Sequence, residues 1–372
     1  MRHWIFIGIS FCFWACGPKS SPDQSPRATI KSDADLMSQA VVLSEKGFGL
    51  SRLSEYGFFG EPMTDLVPAH ELVLPYSLNT PLFTDYADKE RFIVLPNDEA
   101  KMVYRDRDVL EFPEGTTIVK NFLYEKAIEE SVSQRRVLET RLLHLKGGEW
   151  TPVSYVWNED QTEAYLSVTG ARRDIVFEHS GAQHDLTYKV PTINQCKSCH
   201  MLDGGITPLG PSVRQMHREE GSHVVEWIEK GYLRGAPESG WPMLAQWNDS
   251  HERLNDRARA YLDINCGTCH RPGGPAKTSG LDLSIYAQEG YELGIGKKPV
   301  AAGKGSGGRL YDIVPGAPEE SILLYRMESL APGVMMPELG RSSVHQEGVE
   351  LIRTWIEEME ENRQISLIFA TN

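Results

Sequence analysis

Cysteine is scarce in this sequence. Only six of the 372 residues are cysteine, and two of these fall within the first sixteen positions. The other four occur as two close pairs, Cys196 with Cys199 and Cys266 with Cys269. No cysteine is left over for a structural disulfide, and a chain of this length buries enough apolar surface to fold without one. The four thiols are therefore reserved for one kind of task.

An excess of basic residues is also lacking. The chain has 38 Lys and Arg against 52 Asp and Glu, which gives a formal net charge of −14. This balance argues against a nucleic-acid partner and against electrostatic docking to anionic lipid, since both draw on clustered Lys and Arg. With 40% hydrophobic and 24% charged residues, the composition is that of a soluble globular protein of about two domains.

A hydrophobic run long enough to span a bilayer is missing as well. The apolar stretch Trp4–Ala15 follows Arg2 and is shorter than the roughly 20 residues that a spanning helix needs. It resembles a bacterial lipoprotein signal in which Cys16 becomes acylated, although Phe13 and Trp14 depart from the usual residues. The alternative is a plain secretory signal cut elsewhere. Both interpretations predict an exported chain, either periplasmic or anchored to the outer membrane as a lipoprotein.

The spacing of apolar residues and the positions of Gly and Pro divide the chain into five parts. We predict a signal peptide at 1–16, a tether rich in Pro and Ser at 17–45, and a β-rich domain at 46–190. Short runs rich in Val, Ile, Tyr, Phe and Thr recur in that domain between Gly and Pro turns, which favours an antiparallel sandwich or barrel. These runs are RFIVLP (91–96), TTIVKNFLY (116–124), RRVLETRLLHL (135–145), TPVSYVW (151–157) and AYLSV (164–168).

After position 190 the apolar residues are spaced at helical intervals and no longer follow a strand pattern. Apolar residues recur at helical intervals in 211–233, 251–266, 320–328 and 345–361, and the last of these carries one continuous apolar stripe. The segment 272–318 is rich in Gly and Pro and is predicted to be loop. The overall expectation is an α+β multidomain protein whose helical region consists of two units, 191–250 and 251–363.

The two cysteine pairs lie in the strings CKSCH (196–200) and CGTCH (266–270). Four thiolates would suit zinc, but that use leaves His200 and His270 without a role. A redox dithiol would require a βαβ context. In a c-type haem site the two thiols form thioethers and the adjacent histidine ligates the iron. Two such strings in an exported chain favour two covalently bound haems c, with His200 and His270 as the proximal ligands.

A candidate for the second axial ligand follows the second string. Class I cytochromes c have a CxxCH, a Gly/Pro loop, a Met-Pro near the end and a closing helix, and residues 266–361 resemble this order. By that resemblance Met336, directly before Pro337, is the distal ligand of the second haem, and Met335 packs beside it. The alternative is that both methionines only fill the core.

The distal ligand of the first haem is less defined. The segment GPSV (210–213) resembles the loop whose backbone carbonyl holds the proximal histidine in class I domains. Beyond it, Met243 lies in a loop at a spacing close to the usual one and is the favoured ligand. Met327 and an open iron remain alternatives. The other candidates, which lie on or near a predicted helix, are Met216, His217 and His223.

Taken together, these strings resemble a family of exported bacterial dihaem c-type cytochromes of unassigned role, and the likeness extends over nearly everything after the signal. Its members share an uncharacterised β-rich N-terminal region. They are often encoded beside a predicted parallel β-helix surface protein, which makes such a protein a candidate partner. The strings that carry the likeness are YGFF (56–59), LPYSLNTPLFTDYADK (74–89), VWNEDQTEA (156–164), NQCKSCH (194–200), RARAYLDINCGTCH (257–270), GSGGRLYDIVPG (305–316) and SILLYRMESLAPGVMMPELGRS (321–342).

The resemblance implies an electron carrier between unidentified redox donors and acceptors in the cell envelope. The alternative is a haem enzyme, either a dihaem peroxidase or a haem-coupled oxidoreductase, with an open iron at the first haem. A third hypothesis makes the β-rich domain a module that docks a surface partner. No residue of that domain has a spacing that identifies it as catalytic.

Overall fold

A computed structural model describes residues 32–129 and 132–370, with side chains as far as position 359. The predicted signal peptide, Cys16 and most of the tether therefore lie outside the described residues. Within the described part, every helix is too short or too polar to cross a membrane.

Antiparallel strands dominate the region 73–190, as the sequence predicts. The strands are β1 (Val73–Tyr76), β2 (Asp88–Val94), β3 (Met102–Val103), β4 (Thr117–Glu129), β5 (Val132–Lys146), β6 (Glu149–Trp157), β7 (Ala164–Leu166), β8 (Ala171–His179) and β9 (Ala182–Val190). All except β3 join one eight-stranded sheet, in the order β1-β2-β4-β5-β6-β7, with the β8–β9 hairpin attached to the far end of β4. The sequence did not predict β1, β8 or β9. The mixed α+β class is confirmed.

The two faces of this sheet pack against different partners. Val119 and Leu142 point to one face and join a core with the N-terminal helix α1 (Asp33–Glu45). Ile118 and Leu143, one position along each strand, point to the opposite face. Because both faces are covered there, apolar residues occupy consecutive positions, as at Ile118 and Val119 or Leu142 and Leu143, instead of alternating with polar ones.

The covering of the second face comes from the region predicted as the first helical unit. Val213, Met216 and Trp227 pack in one cluster with Ile93 and Leu143 of the sheet. Residues of this segment therefore share a core with the β-rich region.

The remaining elements are short helices and two-residue strands until the C-terminus. They are α2 (Ile193–His200), β10 (Met201–Leu202), β11 (Gly205–Ile206), α3 (Val213–Met216), α4 (His223–Glu229), β12 (Leu233–Arg234), α5 (Leu254–Leu262), α6 (Ile322–Glu328) and α7 (Gln346–Ala370). The helical pattern over 211–233 is interrupted between α3 and α4, where Gly221 adopts φ 65°. The helical run itself ends earlier, at Met216, because His217 is already extended.

The C-terminal helices form a third core. Ala258 and Leu262 of α5 pack with Ile352, Trp355 and Ile356 of α7. The apolar stripe predicted for 345–361 is confirmed as the buried face of α7. The second CxxCH string follows α5, so it lies next to this core.

The connection between β1 and β2 ties these parts together. The Asn79 side chain donates to the carbonyl of His217 at 2.9 Å, and the amide of Phe83 donates to Oδ1 of Asn265 at 2.9 Å. Oδ1 of buried Asp85 accepts from the amides of Ser342 and Ser343 at 2.7 and 2.8 Å. This loop therefore fixes the sheet relative to both helical segments.

Candidate functional site

Both CxxCH strings open onto the same cavity. The lining includes all four thiols, with His200, and the empty space between its walls is about 1420 Å³ when the open solvent at its mouth is counted. The segments that follow the two strings are joined, because the amide of Asp203 donates to the carbonyl of Gly273 at 3.0 Å. The two strings therefore lie close together in the fold.

The first string forms a single short helix. The Thr192 hydroxyl accepts from the Gln195 amide, and the Gln195 side chain accepts from the Thr192 amide, which makes a capping box that starts α2. Cys196, Cys199 and His200 then stand at i, i+3 and i+4, on one face of the helix. The sequence places the two sulfurs and the imidazole together by this local geometry alone.

A tight hairpin fixes the His200 ring. Asp203 and Gly204 have φ of 48° and 85° and turn the chain between β10 and β11, as Asp-Gly pairs do in two-residue hairpins. The turn returns Thr207 to His200. The Thr207 amide donates to the His200 carbonyl at 2.8 Å, and Nδ1 of His200 lies 2.8 Å from the Thr207 carbonyl. Since a carbonyl only accepts, Nδ1 carries the proton and Nε2 is free to bind a metal.

This contact corrects one expectation. The GPSV segment (210–213) was predicted to supply the carbonyl that holds the proximal histidine. The carbonyl instead belongs to Thr207, because the two-residue turn at Asp203 and Gly204 brings the chain back earlier.

The second string is set more deeply. After α5 the chain widens into one π-helical turn at Asp263–Gly267, and the amides of Cys269 and His270 both donate to the Cys266 carbonyl. Gly267 is buried. A Cβ placed there would lie 2.9 Å from the Leu283 carbonyl oxygen. The string therefore requires glycine at this position, for close backbone packing.

His270 has the same arrangement as His200 with a different acceptor. Its Nδ1 lies 2.9 Å from Oγ of Ser279, and that hydroxyl donates its own proton to the Ala276 carbonyl at 2.8 Å. The hydroxyl must then accept from the imidazole, so Nδ1 is again protonated and Nε2 is again the free nitrogen. Both rings therefore have an unprotonated Nε2, but only His200 is among the lining residues of the cavity, while His270 is not.

Burial sets the protonation of these groups. Desolvation lowers the pKa of His200 and of His270 to about 4 each, so both imidazoles are neutral at neutral pH. Desolvation also raises the pKa of the Cys266 thiol to about 12. A neutral imidazole is the form that ligates a metal, and the donor set fits covalently attached haem.

The candidate methionines divide into two groups. Met336 and Met327 line the cavity. Met336 is held there by its amide, which donates to the Arg326 carbonyl at 3.0 Å, and by its carbonyl, which accepts from Arg341 at 2.9 Å. Met335 is not among the lining residues. The geometry is compatible with Met336 as a ligand at the second string.

Met243 is not brought to the cavity. Its side chain is 45% exposed, while the neighbouring Leu244 is buried and its amide donates to the Arg214 carbonyl. That bond turns the loop so that Met243 points outward. Met216 is buried in the core between sheet and helices, and the rings of His217 and His223 bond to Ser222 and Ser77. These four expected candidates are all absent from the described lining of the cavity.

Several cavity residues were not singled out from the sequence. Nδ1 of His345 lies 3.0 Å from the Tyr261 hydroxyl, and its ring stacks on Phe83 with centroids 4.2 Å apart. Lys120 and Arg141 line the wall that the sheet provides. The string LPYSLNTPLFTDYADK was the available signal for Phe83, whereas isolated residues such as His345 carry none.

The rival chemistries have less support. All four cysteines are unpaired thiols. Within 32–370, apart from positions 130 and 131, no group of three or more His, Cys, Asp or Glu side chains is arranged to hold a metal ion, so a four-thiolate zinc site has no geometric basis. Cys196 is the fourth residue of α2, whereas a thioredoxin-like dithiol opens its helix.

Comparisons with protein-family models, with curated proteins and with solved structures find no match for this chain. The interpretation of the site therefore depends on the residues and their geometry.

Proposed function

We propose that this protein is an exported c-type cytochrome that carries two covalently attached haems and passes electrons between redox partners in the bacterial cell envelope. The observation that supports it most is the pairing of two CxxCH strings around one cavity, each with its imidazole oriented through Nδ1 so that Nε2 is free. The helical region would then be a cytochrome c-like unit fused to an antiparallel β domain.

Each attachment point has a defined set of residues. Cys196 and Cys199 would hold one haem and Cys266 and Cys269 the other, with His200 and His270 as proximal ligands and Met336 as the distal ligand of the second. The bound haems would supply reversible one-electron chemistry at iron. The contribution of the chain is to fix the two imidazoles and to surround the site with apolar side chains such as Leu82 and Leu143, and a dry surrounding of this kind tunes the potential.

The shared cavity supports transfer between the two haems. The four thiols line one cavity, and the segments that follow the two strings are linked by the hydrogen bond from Asp203 to Gly273, so two haems attached there would be close neighbours. The net charge of −14 favours basic redox partners. A β-helix surface protein is the further partner that the family resemblance suggests.

The test is production of the full chain in a host with a cytochrome c maturation system. We expect a mass increase of two haems that survives denaturation, and absorption bands of low-spin haem c on reduction. The same chain made without maturation is the control. A chain that matures with no covalent haem overturns the proposal.

One observation favours an enzyme as the alternative. Met243 does not reach the cavity, so the first iron would lack the expected methionine; unless Met327, which lines the cavity, binds it, that iron would have an open position for a small ligand. A high-spin signal from one haem together with turnover of peroxide would support that function. Two low-spin, six-coordinate irons would contradict it.

Export and lipid anchoring are proposed from the N-terminal segment alone. If Cys16 is acylated, Cys16→Ser leaves the protein soluble in the periplasm or uncleaved in the inner membrane. The mass of the mature N-terminus and the fraction in which the protein is found would decide between this and a plain secretory signal.

A further inference from the structure

The wall of the cavity formed by the sheet carries a row of cations. Arg91 on β2 stands directly opposite Lys120 on β4, and Lys120 stands opposite Arg141 on β5. Directly paired residues of antiparallel strands share one face, and like charges in such positions repel each other. Lys120 and Arg141 line the cavity, as does Tyr76, which pairs with Arg91 from the other side. Lys120 and Arg141 therefore face the cavity that the CxxCH strings line, whereas Arg91 is not among its lining residues.

This row has too few counter-ions. Arg141 forms a two-pronged pair with buried Glu139 at 2.6 and 2.8 Å. Arg91 has no ion pair in the described part of the chain; it donates to the Lys89 carbonyl, and its second terminal nitrogen is buried without a partner. The Lys120 amine lies 4.9 Å from the centre of the Phe122 ring, with no hydrogen bond or ion pair among residues 32–129 and 132–370.

Burying two unpaired cations beside a third is costly. Burial and the neighbouring Arg91, Lys89 and Arg141 hold the pKa of Lys120 well below its usual range. Lys89, two residues from Arg91, donates to the Ala87 carbonyl, and burial lowers its pKa to about 7. An anionic ligand at this wall would compensate the charge that the fold leaves uncompensated.

The position of the row selects among anions. Lys120 and Arg141 line the cavity together with Cys196, Cys199 and His200, so this part of the row lies beside CKSCH. A haem c brings two carboxylates, its propionates, into an otherwise largely apolar cavity whose sheet wall carries these two basic side chains. We propose that Lys120 and Arg141, with Arg91 next to Lys120 outside the lining, form an anion-binding row that holds the propionates of the haem attached at CKSCH. This inference rests on the proposed haem attachment and assigns to the β domain a direct role in setting that haem's potential.

The experiment uses the matured full-length protein and the variant Lys120→Met, which keeps the length of the side chain and removes its charge. A cation beside a haem favours the reduced iron, so its loss lowers the reduction potential of one haem and leaves the other unchanged. The propionate bending band in resonance Raman spectra shifts as well. Lys120→Arg restores both signals. Lys126→Met is the matched control, because Lys126 lies on the same strand but is exposed and paired with Glu178.

Four outcomes overturn the inference. If Lys120→Met carries two covalent haems and its potentials and propionate band are unchanged, the anion-binding role of the row is contradicted. The proposed function stays intact. A change of spin state in that variant assigns the amine to the iron and not to a propionate. Should Lys120→Met not fold, titration of the wild-type holoprotein with inorganic phosphate decides: saturable binding identifies a site for a free anion, whereas no binding fits a row already occupied by propionates. Absence of covalent haem overturns the proposed function as well.

Discussion

The two CxxCH strings have the same chemistry and different surroundings. CGTCH lies after α5 on a core of its own, with Asn265 and Gly267 buried, and its ring is held by a side chain, Ser279. CKSCH lies on an eight-residue helix whose Lys197 is exposed, and its ring is held by a backbone carbonyl. CGTCH is part of a helical core, whereas CKSCH lies on a helix that packs over the β-sheet. The comparison shows that one motif can be supported by two unrelated scaffolds.

The largest expected difference follows from removing each attachment point. Cys266→Ser with Cys269→Ser is expected to remove one haem and to disrupt packing of α5 on α7, since this string continues directly from that core. Cys196→Ser with Cys199→Ser is expected to remove one haem while the sheet stays folded. Mass spectrometry counts the haems, and far-UV circular dichroism follows the helix content. Equal loss of helix in both variants would show that the two scaffolds are not independent.

The candidate methionine ligands give the next expected difference between the two haems. Met336→Ala is expected to convert one haem from low spin to a state without methionine ligation and to lower its potential, because methionine ligation raises the potential. Met335→Ala is the neighbouring control, as Met335 does not line the cavity. Met243→Ala is expected to leave both spectra unchanged. A spectral change in Met243→Ala would mean that its loop closes over the first haem.

Local pattern predicted much of this molecule. The CxxCH spacing fixes each donor set within one helical turn, and the stripe through Ile352 and Trp355 identified the buried face of α7. The short apolar runs identified five strands. These features depend only on neighbours in sequence, which is why they could be predicted without the structure.

Long-range contacts explain what could not be predicted. The cation row exists only through the register of β2, β4 and β5, and a shift of one residue would turn Lys120 to the other face. Asp85 is buried against Ser342 and Ser343 in a left-handed conformation with φ 48°. Such backbone geometry in a residue other than glycine leaves no trace in the sequence.

The variable residue after the first cysteine gives a matched pair of substitutions. Gly267→Ala forces a Cβ to within 2.9 Å of the Leu283 carbonyl oxygen, so the free energy of unfolding is expected to fall by about 1–3 kcal/mol. Lys197→Ala, at the same position of the other string, is exposed and should stay within about 0.5 kcal/mol of wild type. Denaturant unfolding followed by Soret absorption measures both. Similar changes in the free energy of unfolding for the two variants would contradict the claim that the second string is packed more closely than the first.

The smallest expected effect comes from the acceptors of the two imidazoles. Ser279→Ala removes the hydroxyl that accepts from Nδ1 of His270, which makes the imidazole a weaker donor to iron and is expected to raise the potential of the second haem slightly. Loss of this bond also costs about 1 kcal/mol of stability. Thr207→Ala is the counterpart at the first string and should change neither potential, because the acceptor there is the main-chain carbonyl, which the substitution retains. Redox titration of both variants against wild type separates the two haems. A shift in Thr207→Ala equal to that in Ser279→Ala would show that both rings respond to general packing and not to the hydrogen bond at Nδ1.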